Sequence, residues 1–354
     1  MLQSLTTTVL PQLFRAAPIV SNIPFRGAQR SERELGTNIV HAQRGQGPAG
    51  EVHLHPAPQG MPEIEVLDLC FQGRPECVAA FLLHHPAGPI LVECGPATVR
   101  EQLLRELAQR SLNPSDIRAL LVTHIHLDHA GDAGWWTSQG VPLVVHPAGA
   151  PHLIDPSKLL ASASRIYGES MQRLWGEILP CPESLVQVAT PDAALAGELS
   201  DIVAWDTPGH ARHHLAYAWR DQVLTGDVAG VSLPNHEGGP LSVSVPAPPP
   251  EFELEVWLAS LDKLEKLQAK ALYLTHFGAV SEVQAHLQLL REQLQAVTQF
   301  VGERREQERE ALVTAYTEWQ RPHFGSEATF DRYQQANPLF MSVDGLLRYW
   351  KKRA

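Results

Sequence analysis

Three histidines and one aspartate fall within six residues in the stretch Thr123-His124-Ile125-His126-Leu127-Asp128-His129-Ala130-Gly131-Asp132. The apolar run Ala119-Leu120-Leu121-Val122 precedes it and reads as a buried strand. Alternate residues of a strand point the same way, so His124 and His126 can present both imidazoles to one point just past the strand end. Asp128 and His129 then fall in the turn that follows. Neutral imidazole together with carboxylate suits zinc, and also manganese and iron(II). Four ligand-type side chains exceed what one tetrahedral ion with an open position needs, so the window predicts two metal ions.

The second half of the chain repeats one pattern, a short apolar strand with a liganding residue at its end. Ile202-Val203-Ala204-Trp205 runs into Asp206-Thr207-Pro208-Gly209-His210. Gln222-Val223-Leu224-Thr225-Gly226 ends in Asp227, and Ala271-Leu272-Tyr273-Leu274-Thr275 ends in His276. A single histidine or aspartate in a loop is ordinarily solvated; three at strand ends behind the first motif make a set. Other histidines read differently. His146 ends a strand but is followed by Pro147 without a neighbouring partner, and is assigned to structure. By strand alternation only one of His213 and His214 can face inward with His210, and both are candidates for outer hydrogen bonds or packing. His236 lies in a Pro/Gly-rich loop bordering the site. The Val52-His53-Leu54-His55 alternation reads as a surface strand.

H-x-H-x-D-H after a hydrophobic strand, followed by Thr-Pro-Gly-His and Gly-Asp, resembles the signature of the metallo-β-lactamase-fold hydrolase superfamily, with the glyoxalase II-like and lactonase-like branch nearest in flavour. The resemblance covers about residues 62–280. It implies an α+β fold, an αββα four-layer sandwich with the metal site at one sheet edge. It also implies that His124, His126 and His210 hold one metal, that Asp128, His129 and His276 hold the second, and that Asp227 bridges them. Two divalent ions about 3.5–4 Å apart can lower the pKa of a shared water toward ~7 and polarise a substrate oxygen. Asp128 is the catalytic candidate, orienting the resulting hydroxide or passing a proton to the leaving group. Zinc is the first expectation for both ions, with manganese and iron as alternatives.

The expected function is hydrolysis of an ester, thioester or lactone of a small molecule. The alternative is a mononuclear-iron oxygenase of the persulfide-dioxygenase kind, and a third reading makes the site purely structural. Leu127-Asp128 after His126, instead of H-x-E-x-D, argues against the oxygen- and nitric-oxide-reducing flavodiiron branch. One departure stands out: Glu93-Cys94-Gly95 occupies the place where the superfamily usually has Asp-x-Gly, so a polar contact there is expected to differ.

The elements that must position these residues can be read in outline. Strands are expected at Ile64–Cys70, Cys77–Leu83, Pro89–Cys94 and Pro142–His146, and helices at Thr98–Arg110 and Gly131–Ser138. Ser157–Gly176 reads as a helix, packing on the core or covering the site, with Tyr167 the choice for a substrate-facing hydroxyl. The run Pro246-Ala247-Pro248-Pro249-Pro250 leads rigidly into a helix over Glu251–Lys270. Ser281–Gln320 holds one or two helices, and the aromatic residues of 321–354 predict a pocket wall or a homodimer contact. The expected organisation is a poorly structured extension over 1–60, a catalytic domain over 61–280 and a C-terminal helical segment over 281–354.

Composition narrows the classes. The 354 residues carry a formal net charge of −11, which argues against nucleic acid as a partner because phosphate binding needs a basic footprint. Four cysteines without C-x-x-C spacing suggest neither a disulfide framework nor a zinc knuckle, and point to a reducing, cytoplasmic setting. No run of eighteen apolar residues predicts a membrane span. Met1 to Val20 lacks the basic region of a secretory signal, although its arginines without acidic residues faintly resemble a transit peptide.

Overall fold

The computed structural model describes residues 63–236 and 241–354. The expected extension over 1–60 and the Val52–His55 strand lie outside them. Among the described residues the strands are β1 Ile64–Asp68, β2 Ala79–Leu83, β3 Ile90–Val92, β4 Ala119–Leu121, β5 Leu143–Val145, β6 Val186–Val188, β7 Ala193–Ala194, β8 Ile202–Asp206, β9 Leu215–Trp219, β10 Gln222–Gly226, β11 Ala271–Leu274 and β12 Gly278–Val280. They form two sheets, ordered β1-β2-β3-β4-β5-β6 and β12-β11-β10-β9-β8-β7. Both are mixed. In the first, β1–β3 pair antiparallel and β3–β6 parallel; in the second, only β10 and β11 pair parallel.

The helices are α1 Arg100–Gln109, α2 Leu127–Ala130, α3 Ala133–Ser138, α4 Ala150–Ile154, α5 Ser157–Tyr167, α6 Met171–Trp175, α7 Leu254–Lys266, α8 Val283–Glu303, α9 Arg309–Gln320, α10 Glu327–Ala336 and α11 Leu339–Lys351. The two sheets pack face to face through Phe81, Val92 and Leu121 on one side and Ala204, Leu215, Tyr217 and Leu224 on the other. The outer face of the first sheet carries Leu82, Leu91 and Leu120 against α1, α3 and α6, through Leu103, Trp136 and Trp175. The outer face of the second carries Ala216, Val223 and Leu272 against α7 to α11, through Trp257, Leu290, Tyr316, Tyr333 and Leu346. The result is the αββα sandwich, with C-terminal helices sharing the core of the second sheet. Because both faces of each sheet are covered, β2 and β4 are buried throughout, and their apolar runs lack alternation.

Several elements differ from the sequence expectation. The helix over Ser157–Gly176 is broken into α5 and α6 at Gly168, whose φ of +50° ends the first. The helix over Glu251–Lys270 begins only at Leu254. Helices α8 and α9 take up the two-helix option over Ser281–Gln320. Residues 207–214, where strand alternation was to separate His213 from His214, form a loop, so the alternation does not apply: both side chains are buried.

The sheets converge at one edge. Strands β8, β10 and β11 point the same way, so their C-terminal ends open on a single side. Just past β4, Thr123 leaves its sheet, and its carbonyl accepts the Leu215 N–H at 2.7 Å, tying the two sheets at that edge. Gly226 ends β10 with φ +50°, and a Cβ there would lie 2.3 Å from Thr123 Oγ1. Only glycine lets β10 approach so closely, and that approach delivers Asp227 to the edge.

Candidate metal centre

His124, His126 and His210 come from two different loops, yet their ring nitrogens converge. His126 Nδ1 lies 2.9 Å from His124 Nε2 and 2.9 Å from His210 Nε2. The outer hydrogen bonds fix two of the tautomers. His210 Nδ1 donates to the Pro246 carbonyl at 2.7 Å, which turns the Nε2 lone pair inward. Thr123 Oγ1 donates to Glu93 Oε1, so it accepts from His124 Nδ1 at 3.0 Å, and that Nε2 lone pair also faces in. A single proton on His126 Nδ1 satisfies one of the two facing lone pairs; a cation satisfies all three nitrogens.

The second group is built the same way. His276 Nδ1 donates to the Cys77 carbonyl at 2.7 Å, leaving Nε2 3.4 Å from Asp128 Oδ2 and 3.5 Å from Asp227 Oδ1. His129 Nδ1 donates to Glu93 Oε1 at 3.0 Å, leaving Nε2 3.2 Å from Asp227 Oδ1 and 3.9 Å from Asp128 Oδ2. Imidazole lone pairs therefore face carboxylate oxygens. Among the described residues His129 Nε2 and Asp227 Oδ1 are buried without a hydrogen-bond partner. Such a set is repulsive unless a proton or a cation sits within it. Asp227 spans both groups, with Oδ2 3.4 Å from His210 Nε2 and Oδ1 toward His129 and His276.

The sets His124, His126, His210 and Asp128, His129, His276 each bring their ligand atoms within 4.8 Å of one another, which makes each able to hold a metal ion. Glu93, His124 and His129 meet the same distance. Glu93, however, accepts from His129 Nδ1, Thr123 Oγ1, the Thr123 N–H and Thr275 Oγ1 and is fully buried, so its oxygens are already engaged behind the histidines.

The charges follow from this layout. Burial, reinforced by neighbouring histidines, pushes His126 down to about 3 and His124 well below the ordinary imidazole range, so both are neutral and ready to coordinate. Burial opposes charge at Asp128, but the neighbouring His129 and His276 hold its carboxyl down to about 2. Burial likewise opposes charge on His129, yet Asp227, Asp128 and Glu93 raise it well above the usual value. The second group thus demands positive charge, supplied by a proton on His129 or by a metal in its place.

The outer acceptors were invisible in the sequence. Cys77 and Pro246 act through backbone carbonyls, which no side-chain type announces. His214 buttresses the bridge: Nδ1 bonds Thr207 Oγ1 at 2.8 Å and Nε2 accepts the Asp227 N–H at 3.2 Å. Glu93, in the place where Asp-x-Gly was expected, engages His129, Thr123 and Thr275. His146 stands apart from both groups, 3.3 Å from Asp206 Oδ1, with Nδ1 accepting the Ala148 N–H. His236 is exposed and bonded to Glu76 at 2.5 Å. Tyr167, at the end of α5, meets Met341 Sδ at 3.8 Å and Trp175 edge-on, and burial and then the charge of Asp128 push its phenol up. Among the described residues no helix is long and apolar enough to cross a membrane.

Comparison with known proteins agrees with this architecture. A structure from Thermus thermophilus, the metallo-beta-lactamase family protein TTHA1429, superposes with a TM-score of 0.60 at 20% identity, covering 83% of this chain and 94% of that one. The archaeal superfamily protein ST1585 from Sulfolobus tokodaii superposes with a TM-score of 0.51 at 19% identity, over 67% of this chain and 86% of that one. In sequence, the metallo-beta-lactamase fold-containing protein ST1585 of Sulfurisphaera tokodaii is 26% identical over 50% of this chain and 68% of its own length. Metallo-beta-lactamase domain-containing protein 1 of Rattus norvegicus is 36% identical over 24% of this chain and 34% of its own. The model of the metallo-beta-lactamase superfamily matches residues 74–276, from the loop that holds His276 to His276 itself, and the chain belongs to that superfamily.

Proposed function

We propose that this protein is a dinuclear metal-dependent hydrolase acting on an ester, thioester or lactone of a small molecule. The observation that carries the reading is Asp227, whose two carboxylate oxygens face two separate ligand groups. His124, His126 and His210 would hold one divalent ion and Asp128, His129 and His276 the other, with zinc favoured by the nitrogen-rich donor set. Bound there, the two ions would supply Lewis acidity, acidifying water and polarising the substrate's carbonyl oxygen. The chain's own part is to hold and move protons. Asp128 remains a carboxylate at neutral pH and is less buried than Asp227, so it can accept a proton from water and deliver it to the leaving group. Pro246, Cys77 and Glu93 keep the inward lone pairs aimed by engaging the opposite ring nitrogens.

The test is metal content of protein purified without added metal, measured by inductively coupled plasma mass spectrometry beside a panel of small esters, thioesters and lactones. About two zinc or manganese ions per chain with turnover are expected. In Asp227→Ala metal and turnover should be lost together, while His146→Ala keeps both. About one iron per chain with oxygen uptake on a persulfide and no hydrolysis would overturn the reading in favour of an oxygenase.

A further inference from the structure

His126 is held differently from the other candidate histidines. His124, His129, His210 and His276 each bond a protein oxygen through the nitrogen that faces away from the centre. Among the described residues the hydrogen bonds of His126 run only through Nδ1, toward His124 and His210. The terminal torsion of a histidine is broad, so a ring without an outer partner swings unless packing stops it. Ligand rings in metal sites are ordinarily fixed by such an outer bond, and here something else must do that work.

His213 is in place to do it. Its ring meets the His126 ring at 90° with centroids 5.6 Å apart, and lies nearly parallel to His124 at 6.1 Å. It is itself buried and braced. The Ile125 N–H reaches its Nδ1 at 3.5 Å, and its Nε2 lies 3.4 Å from Glu251 Oε2, which also accepts the Arg212 N–H at 3.1 Å. Glu251 closes the proline run whose Pro246 carbonyl accepts from His210. One segment, Pro246 to Glu251, therefore reaches two members of the trio, His210 directly and His126 through His213.

We propose that His213, braced by Glu251, is the positioning residue for His126, fixing its ring edge-on so that Nδ1 stays aimed at the point shared with His124 and His210. The proposal rests on the metal reading above. Its test is zinc binding to the metal-free full chain by competition with a chromophoric chelator, with stoichiometry by mass spectrometry. In His213→Ala one of two zinc affinities falls about tenfold or more while the other holds. His213→Phe keeps an aromatic edge without the nitrogens and restores the lost affinity. Glu251→Ala, which leaves the ring in place but unbraced, weakens the same site to a smaller degree and serves if His213→Ala does not fold. Two unchanged affinities in His213→Ala would overturn the proposal alone, as would a His213→Phe protein as weak as His213→Ala. Wild-type protein that takes up no zinc would remove the metal reading and this inference with it.

Discussion

Glu93 and His129 meet at 3.0 Å at the edge of the first sheet, both fully buried, and the carboxylate that engages His129 Nδ1 also collects the Thr123 N–H, the Thr123 hydroxyl and, from the second sheet, the Thr275 hydroxyl. This one side chain aims a candidate ligand of the second group and, through Thr123, orients His124 of the first. Glu93→Ala would leave several buried donors unpaired. It is expected to destabilise the metal-free protein by about 3 kcal/mol or more and to weaken metal binding about 10–100-fold. Urea denaturation of the metal-free chain and chelator competition check the two effects separately. Unchanged metal affinity in a folded Glu93→Ala protein would refute the aiming role.

Metal binding should release protons. In the metal-free chain Asp227, Asp128 and Glu93 outweigh the cost of burying charge on His129 and favour its protonated form. A metal ion entering that group must displace this proton, whereas the depressed His124 and His126 have none to lose. Affinity is therefore expected to rise with pH by about tenfold per unit for each proton released. Titration of the metal-free chain with zinc in weakly buffered indicator solution should register at least one proton per chain near pH 7. Uptake with no proton released would show that His129 is neutral before the metal arrives.

How much of this was legible depends on where the information sits. The candidate ligands His124, Asp128, His210, Asp227 and His276 could be read because each follows a short apolar run and carries a liganding side chain. The carbonyls behind them could not: Cys77 lies 199 residues from His276 and Pro246 lies 36 from His210, and a backbone oxygen has no residue type. Strand β9, Leu215–Trp219, went unread because it is buried on both faces apart from Ala218 and so has no two-residue period. Strands β6 and β7 are too short to carry a pattern. The apolar stripe of α7 reads in the sequence as Val256, Trp257, Leu261, Leu264 and Leu267; Val256 is exposed while Trp257, Leu261 and Leu264 are buried, and nothing in the stripe announced that α8 to α11 would share the same core.

That shared core gives the C-terminal helix a hold on the centre. Ser342 on α11 donates to the Val245 carbonyl at 2.9 Å and accepts the Ala247 N–H at 3.3 Å, on either side of the Pro246 whose carbonyl accepts from His210. Gly345, one turn on, lets the helix touch this run: a Cβ there would lie 1.9 Å from the Ala247 carbonyl oxygen. Gly345→Ala improves helix propensity by about 1 kcal/mol, but the overlap must push α11 and the proline run apart, at about 1–3 kcal/mol. The expected outcome is a lower melting temperature together with weaker zinc binding. A variant as stable as wild type with unchanged zinc affinity would show that the helix does not set the position of His210.

His286 predicts a metal-independent pH dependence of stability. It is fully buried in α8, where Nε2 donates to the Ala229 carbonyl at 2.8 Å and, among the described residues, Nδ1 has no partner. Burial holds its pKa below the ordinary 6.5, only partly offset by the bond to Ala229. The unfolded chain therefore takes up this proton at a higher pH than the folded one. The stabilisation tied to the neutral ring is complete above pH 6.5 and is lost as pH falls from there toward the folded pKa, by up to about 1.4 kcal/mol per unit. His286→Gln retains an N–H donor for Ala229 and does not titrate. Urea denaturation at pH 7.5 and 5.5 is expected to give wild type a larger loss of stability on acidification than His286→Gln. Equal losses in the two proteins would show that the His286 ring accepts its proton as readily in the folded chain as in the unfolded one.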